Sequence, residues 1–248
     1  MRIAAAQSLS VPCDLAANVA IHCRFIAAAQ AAKVDILVFP ELSLSGYELP
    51  ALGDCLVHPQ DARLAPIRQL LAGGSMTVVL GAPLPSDSPL PYIGAITLFP
   101  DGRTSLYYKQ HLDPSEMAFA SEGARAAERH ELVDESFVLA VCADINHQQH
   151  AQRAAATGAS LYLAGVLLSQ KSYPQDAASL SRYAADYRMT TLLANHAGPS
   201  GPYVSAGSSA IWAPDGTLVA EAPGPGNYLV IAQKDAQGWR GELVSIDC

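Results

Sequence analysis

Short runs of apolar residues recur along the chain, and a Pro, Gly or polar residue closes each of them. Runs of this kind are typical of strands buried on both faces. The pattern predicts strands at residues 36–39, 77–80, 95–99, 137–141, 160–163, 191–194, 210–212 and 228–232.

Helical spacing of apolar residues occurs between several of the predicted strands. Asp14 is a suitable N-cap for a helix that runs to Ala32. Its apolar face carries Leu15, Val19, His22, Ile26 and Ala29. Further helices are predicted near residues 62–71, 149–157 and 177–188. Because strands and helices alternate, the sequence belongs to the α/β class.

Two Pro-Asp-Gly turns interrupt this alternation. Residues 99–102 read Phe-Pro-Asp-Gly and residues 213–216 read Ala-Pro-Asp-Gly, each between two predicted strands. Such turns join neighbouring antiparallel strands, so the sheets are predicted to be mixed. Residues 83–91 are predicted to form a surface loop, and no linker-like segment divides the chain. Residues 1–248 are therefore expected to form one domain.

Composition narrows the range of functions. The chain has 248 residues with 15 basic and 23 acidic side chains, a formal charge of -8, which argues against nucleic acid or a membrane surface as partner. No apolar run has the length of a membrane span, and the N-terminus lacks the pattern of a secretory signal, so we expect a cytoplasmic protein.

The five cysteines are an odd number without tight spacing. This favours reduced thiols, one of which could be reactive.

Three polar residues directly follow predicted strands, where α/β proteins place ligand-binding side chains. Glu41 follows residues 36–40, and Cys142 follows residues 137–141. Lys109 follows the second strand of the first Pro-Asp-Gly hairpin, predicted at residues 104–108. A carboxylate, an ammonium and a thiol suit acyl transfer as proton shuttle, oxyanion stabiliser and nucleophile. Each residue taken alone also has a structural explanation, as a cap, a solvated strand end or a small core residue.

The order of these three residues and the segments around them resemble the nitrilase superfamily of carbon-nitrogen hydrolases. Residues 39–47 read Phe-Pro-Glu-Leu-Ser-Leu-Ser-Gly-Tyr and resemble the family's glutamate segment. Residues 108–112, Tyr-Lys-Gln-His-Leu, resemble its lysine segment, and residues 141–144, Val-Cys-Ala-Asp, its nucleophile segment. The similarity continues through residues 194–198 and 207–209 and the second Pro-Asp-Gly turn, so it covers almost the whole chain.

This resemblance implies a four-layer αββα sandwich with two mixed sheets, assembled as a homodimer or higher homo-oligomer. It also implies hydrolysis of a small amide without a cofactor or metal. Cys142 would form a thioester, Glu41 would act as general base and acid, and Lys109 would hold the oxyanion together with the backbone N–H of Ala143. Glu116 is expected to orient Lys109 and the substrate, with Glu122 as its rival for that role.

The segment after the nucleophile departs from the pattern of many amidase-like members. Ala143 stands at an aromatic position, Asn146 at an Arg position and Gln149 at a Glu position, and further along Asp186 replaces a Glu. We therefore expect an unusual substrate, and the neutral Asn146 argues against binding of a substrate carboxylate there. Asn146 is also a predicted pocket residue, together with Tyr47, Tyr173 and Asn195. Glu48 and Tyr203 are further candidates for the pocket wall. The imidazoles of His147 and His150 are predicted to be a loop pair, not a metal site.

Two other functions fit the same motifs. A member of the superfamily can transfer the acyl group to an amine instead of water. Alternatively, a catalytically silent member could bind a metabolite, which would account for the altered residues after Cys142.

Overall fold

Two β-sheets pack face to face, and helices cover the outer face of each sheet. The computed structural model describes residues 1–247. The strands in chain order are β1 (Arg2–Gln7), β2 (Ile36–Val38), β3 (Thr77–Leu84), β4 (Tyr92–Leu98), β5 (Thr104–Tyr108), β6 (His130–Glu131), β7 (Ser136–Val141), β8 (Leu161–Val166), β9 (Thr190–Asn195), β10 (Pro199–Ser200), β11 (Tyr203–Val204), β12 (Ala210–Trp212), β13 (Leu218–Glu221), β14 (Tyr228–Asp235) and β15 (Gly238–Ser245). The helices are α1 (Leu15–Ala31), α2 (Ala65–Leu71), α3 (Gln148–Ala156) and α4 (Tyr173–Tyr187).

Both large sheets are mixed, as the two turns predicted. The first sheet has the order β15-β14-β1-β2-β3-β4-β5, in which β1, β2 and β3 are parallel and the other pairs are antiparallel. The second sheet has the order β13-β12-β9-β8-β7-β6, with β7, β8 and β9 parallel. The Pro-Asp-Gly turns connect β4 to β5 and β12 to β13, and both pairs are antiparallel hairpins.

Alternate residues of a central strand face different cores. In β1, Ile3 and Ala5 face the core between the two sheets, whereas Ala4 and Ala6 face the core beneath α1 and α2. A third core lies between the second sheet and the helices α3 and α4. Strands buried on both faces read as continuous apolar runs because neither side meets water. The three cores separate four layers, which confirms the predicted αββα sandwich.

The helices agree with the prediction apart from their ends. Asp14 caps α1 by accepting a hydrogen bond from the backbone N–H of Ala17. Helix α4 begins at Tyr173, earlier than predicted, because Pro174 occupies its first turn, where the missing N–H costs nothing. Within residues 1–247, no helix is both long and apolar enough to cross a membrane.

The expectation that all cysteines are reduced is wrong for two of them. Cys13 and Cys55 form a disulfide, with Cα atoms 5.5 Å apart. The partners are separated by 42 positions in the sequence, and only the folded chain brings the loop before α1 beside the segment that precedes α2. Among the described residues, Cys23 and Cys142 are the free cysteines.

Candidate active site

Strand ends from both sheets bring Glu41, Lys109 and Cys142 together. Glu41 follows β2 and Lys109 follows β5, both in the first sheet, whereas Cys142 follows β7 in the second. The side chains of Glu41 and Lys109 are fully buried. The three predicted catalytic residues therefore come from both sheets, and they meet only where the two sheets pack against each other.

Lys109 is held between two carboxylates. Its Nζ donates hydrogen bonds of 2.7 Å to Oε1 of Glu41 and of 2.7 Å to Oε1 of Glu116. The same Glu116 oxygen accepts a 2.6 Å hydrogen bond from the Tyr47 hydroxyl, and its Oε2 accepts one from the backbone N–H of Asp113. Glu116 thus has the position expected of a group that orients Lys109. Its rival Glu122 is exposed and pairs with Arg125 instead.

Burial and the neighbouring charges shift the pKa values of these groups. Burial raises the pKa of Glu41 to about 7, with the nearby Glu116 acting in the same direction and Lys109 opposing it. Burial alone would lower the pKa of Lys109, but attraction to Glu41, Cys142 and Glu116 outweighs it and raises that pKa. Oε2 of Glu41 accepts no hydrogen bond from an N–H or O–H group of residues 1–247. A carboxyl oxygen with this freedom and a pKa near neutrality suits proton transfer.

Cys142 is the first residue of a short 3-10 helix, Cys142–Asn146, which directly follows β7. Its φ of 44° is in the left-handed region, which few residues other than glycine adopt. Such conformations concentrate at functional sites. The backbone N–H of Ala143 is among the first N–H groups of this helix, which have no partner within it. Burial, chiefly, raises the pKa of the thiol well above its usual value, so a base is needed to form the thiolate.

Two glycines permit the close packing of the segment that carries Glu41. A Cβ atom at Gly81 of β3 would lie 2.0 Å from the carbonyl oxygen of Pro40, and one at Gly165 of β8 would lie 2.7 Å from that of Phe39. These distances are far below van der Waals contact. One glycine comes from each sheet, so the segment before Glu41 packs tightly against both sheets.

Two buried polar residues position the site, although the prediction from sequence gave them no role. Nε2 of His196 lies 2.7 Å from the carbonyl oxygen of Glu41, and burial lowers the pKa of this imidazole to about 4. Asp144 accepts hydrogen bonds from the backbone N–H groups of Gln110, His111 and Val141. It therefore joins the segment after Lys109 to the strand before Cys142. Both residues stand within the quoted motifs, but only the folded chain reveals their partners.

A cavity of about 220 Å³ opens at Cys142. The residues that line it come from the loops at the strand ends and the start of α4: Tyr47, Asp113, Cys142, Ala143, Asn146, Leu167, Leu168, Ser169, Ser172, Asp176 and Tyr203. Tyr47 and Asn146 line this cavity, as predicted. Tyr203, a further candidate for the pocket wall, also lines the cavity, whereas Glu48 does not. Asp113 and Asp176 are lining residues that the prediction did not include.

The other two predicted pocket residues lie elsewhere. The Tyr173 hydroxyl donates a 2.6 Å hydrogen bond to Glu221 at the surface. Asn195 is completely buried, where its side chain bonds the backbone of Leu168 and Gly207. Asn195 thus fixes a segment of the cavity wall without facing the cavity.

The two histidines after Cys142 are not a loop pair. His150 lies in α3 and is buried, with Nε2 2.8 Å from the Tyr107 hydroxyl and Nδ1 2.8 Å from that of Tyr162. His147 stacks on His111, with ring centroids 3.8 Å apart. No cluster of His, Cys, Asp and Glu suited to a metal ion occurs in the described part of the chain.

Solved structures with the same architecture are known. The amidase NitN from Nesterenkonia sp. AN1 superposes with a TM-score of 0.86 at 26% identity, covering 96% of this chain and 94% of that chain. A glutamate-to-glutamine mutant of that amidase, which shows Michael addition of acrylamide at the active-site cysteine, gives a TM-score of 0.85 at 26% identity, with coverage of 95% and 94%. A cysteine-to-alanine mutant in complex with butyramide gives 0.83 at 26% identity, with coverage of 93% and 89%.

Sequence comparison points in the same direction. A Pseudomonas protegens protein described as the hydrolase in the pqqF 5' region is 30% identical over an alignment of 246 positions. The alignment covers 96% of this chain and 84% of that protein. The sequence profile named carbon-nitrogen hydrolase matches residues 2–241. The match spans both sheets and all the segments that carry Glu41, Lys109 and Cys142. The chain therefore belongs to the carbon-nitrogen hydrolase family.

Proposed function

We propose that this protein is a cysteine-dependent amidase that cleaves a small amide through a thioester on Cys142. The observation that carries the proposal is the buried Glu41–Lys109–Glu116 cluster beside a thiol that opens into a small cavity. A volume of about 220 Å³ lies below the roughly 300–1,000 Å³ of typical pockets for drug-sized ligands, so it suits a small substrate.

The first half of the reaction transfers the acyl group to the enzyme. Glu41 takes the proton of the Cys142 thiol, and Sγ attacks the carbonyl carbon of the amide. Lys109 and the backbone N–H of Ala143 stabilise the negative charge on the carbonyl oxygen. Glu41 then gives its proton to the departing nitrogen, the C–N bond breaks, and ammonia or an amine leaves a thioester behind.

The second half releases the acid. A water molecule gives a proton to Glu41 and attacks the thioester carbonyl, and the same two donors hold the second oxyanion. The C–S bond breaks, the carboxylic acid leaves, and the proton on Glu41 returns to Sγ. A single carboxylate can serve both halves because each half begins with proton removal and ends with proton donation.

Known relatives support this proposal. The Nesterenkonia amidase has been captured with butyramide, and a glutamate-to-glutamine mutant shows covalent addition of the acetamide moiety of fluoroacetamide at the active-site cysteine. Both compounds are small primary amides or derive from one, which agrees with the size of the cavity in this protein.

The experiment is to measure ammonia release from butyramide and to treat the protein with fluoroacetamide, followed by intact-mass and peptide analysis. We expect turnover and one added acetamide group on Cys142. The variant Cys142→Ala should lose both, whereas Cys23→Ala, which removes the other free cysteine among residues 1–247, should retain both. Turnover or labelling that persists in Cys142→Ala would refute the proposal.

A further inference from the structure

An unpaired carboxylate faces the active-site cavity from the first turn of α4. Asp176 is 5% exposed and lines the cavity that opens at Cys142. It forms no ion pair with Lys, Arg or His in the described part of the chain. A buried carboxylate without a cation costs free energy, and a charged ligand can supply the missing partner.

The charged side chains that line the cavity are both acidic. Asp113 also lines the cavity, and no Lys, Arg or His among residues 1–247 does. The nearest ammonium to the thiol, that of Lys109, already contacts two carboxylates. Asn146, which also lines the cavity, is uncharged. A substrate with its own carboxylate would meet only like charge here, whereas a cation would be attracted.

The uncharged lining also suits a cation. The hydroxyl groups of Ser169 and Ser172 line the same cavity and can accept hydrogen bonds. The rings of Tyr47 and Tyr203 both line the cavity, with their centroids 5.5 Å apart. The faces of aromatic rings attract cations. A primary ammonium has three donors, enough for a carboxylate and a hydroxyl together.

We propose that the substrate is a small aliphatic amide with a primary ammonium group, which Asp176 binds while the amide carbonyl meets Cys142. This inference rests on the proposed function and names its substrate class. Asp176 and Cys142 line the same cavity of about 220 Å³, so only a short chain can separate the ammonium from the amide.

A purely structural role for Asp176 is the competing explanation. An acidic residue in the first turn of a helix interacts favourably with the helix dipole. That role explains an acid at this position, but it does not require the side chain to line the active-site cavity. The two explanations differ in what they predict for charged and neutral substrates.

The test uses pairs of amides with the same shape and different charge. In 3-aminopropanamide, an ammonium group replaces the terminal methyl group of butyramide, and 4-aminobutanamide is related to pentanamide in the same way. We expect kcat/KM to be at least about tenfold higher for the ammonium member of a pair, because a hydrogen bond between charged groups is stronger than one between neutral groups. Asp176→Asn should lower the ratio of kcat/KM within that pair by about tenfold to a hundredfold.

A matched control lies on the same helix. Asp186 is exposed on α4 and does not line the cavity, so Asp186→Asn should preserve both activity and the preference for the ammonium substrate. Equal kcat/KM for both members of each pair in the wild type would overturn the inference and leave the amidase proposal intact. An equal loss for both members in Asp176→Asn, with a lower melting temperature, would assign Asp176 a structural role.

Binding provides a second readout that does not depend on turnover. Calorimetry with Cys142→Ala should show at least about tenfold tighter binding of 3-aminopropanamide than of butyramide, and Asp176→Asn in that background should remove the difference. If no amide is hydrolysed by the wild type, the proposed function fails, and this measurement still decides the inference. Equal affinity, or binding of neither compound, would overturn it.

Discussion

At the scale of single residues, the proposed mechanism depends on the protonation state of Glu41. One carboxyl oxygen is bound to Lys109, and the other is free to take a proton. Burial raises the pKa of this group to about 7, so its charge changes near neutral pH. An ordinary Glu on the surface would be ionised throughout this range.

This pKa predicts the pH dependence of the reaction. Below pH 7, Glu41 is protonated and cannot accept the thiol proton, whereas above pH 7 it is ionised. We expect kcat/KM to rise with pH through an apparent pKa of about 7, since the raised pKa of Lys109 keeps that ammonium charged. Initial rates from about pH 5 to 9 measure the profile. Glu41→Gln should lower kcat/KM by about 10²- to 10⁴-fold, and the rise of kcat/KM through pH 7 should disappear. Activity that is highest at acidic pH would contradict the assignment.

Glu116 should act by positioning Lys109. It accepts hydrogen bonds from Lys109 and Tyr47 on one oxygen, and the change Glu116→Gln retains a similar shape but removes the charge. We expect kcat/KM to fall by about tenfold to a hundredfold, since a hydrogen bond to a charged group contributes about 1.5–3 kcal/mol. The control is Glu122→Gln, at the exposed rival position, which should leave kcat/KM within about twofold of the wild type. Similar losses in both variants would refute a special role for Glu116.

At the scale of secondary-structure elements, strands buried on both faces were predictable and an exposed edge strand was not. The apolar runs and the two Pro-Asp-Gly turns predicted the central strands because both features are local. Strand β15 was missed because its side chains are mostly exposed and its sequence, Gly-Trp-Arg-Gly-Glu-Leu-Val-Ser, lacks an apolar run. The strand is held by pairing with β14, which the sequence pattern of β15 itself does not encode.

The same distinction applies to the site. Glu41, Lys109 and Cys142 were recognisable because each follows a strand within a family motif. Tyr173 and Asn195 were assigned to the pocket wrongly because the direction of a side chain near a strand end depends on its partners, here Glu221 and the backbone of Leu168. Asp176 was missed because helix α4 begins earlier than predicted, so that this residue lies in the first turn of the helix and lines the cavity.

The contact between β8 and the Glu41 segment leads to a further prediction. A Cβ atom at Gly165 would lie 2.7 Å from the carbonyl oxygen of Phe39, so Gly165→Ala must displace backbone. We expect a loss of about 1–3 kcal/mol in unfolding free energy, and a larger proportional loss of kcat/KM because Glu41 moves. Urea denaturation and initial rates measure the two effects. Gly53→Ala is the control, because nothing lies within 4 Å of a Cβ atom there. Wild-type activity in Gly165→Ala would show that the contact between Gly165 and Phe39 does not position Glu41.

At the scale of the whole molecule, the site depends on how the two sheets are joined. Asp144 follows β7 of the second sheet, yet its carboxylate accepts hydrogen bonds from Gln110 and His111, which follow β5 of the first. It also accepts one from the Tyr107 hydroxyl within β5. Burial would raise the pKa of Asp144, but the hydrogen bond from His111, attraction to His150 and further hydrogen bonds outweigh it and lower that pKa.

A lowered pKa means that the ionised form of Asp144 stabilises the folded protein above the ordinary pKa of Asp, about 3.9, and that this stability is lost as the pH falls through the folded value. Asp144→Asn replaces one accepting oxygen with an amide that cannot accept from backbone N–H groups. We expect a loss of about 1–3 kcal/mol in unfolding free energy for each donor left unpaired, and reduced kcat, because Lys109 and Cys142 lose their common support.

Denaturation of Asp144→Asn and the wild type at several pH values measures this effect. The difference in unfolding free energy should be largest near neutral pH. It should narrow below about pH 4, where Asp144 of the unfolded chain takes up a proton, and should be lost once the pH falls through the lower pKa of Asp144 in the folded protein. Asp134→Asn, at an exposed position in the turn before β7, should match the wild type throughout, since surface substitutions of this kind change stability by about 0.5 kcal/mol or less. A difference between Asp144→Asn and the wild type that does not vary with pH would mean that packing around the side chain, not its charge, joins the two sheets at the active site.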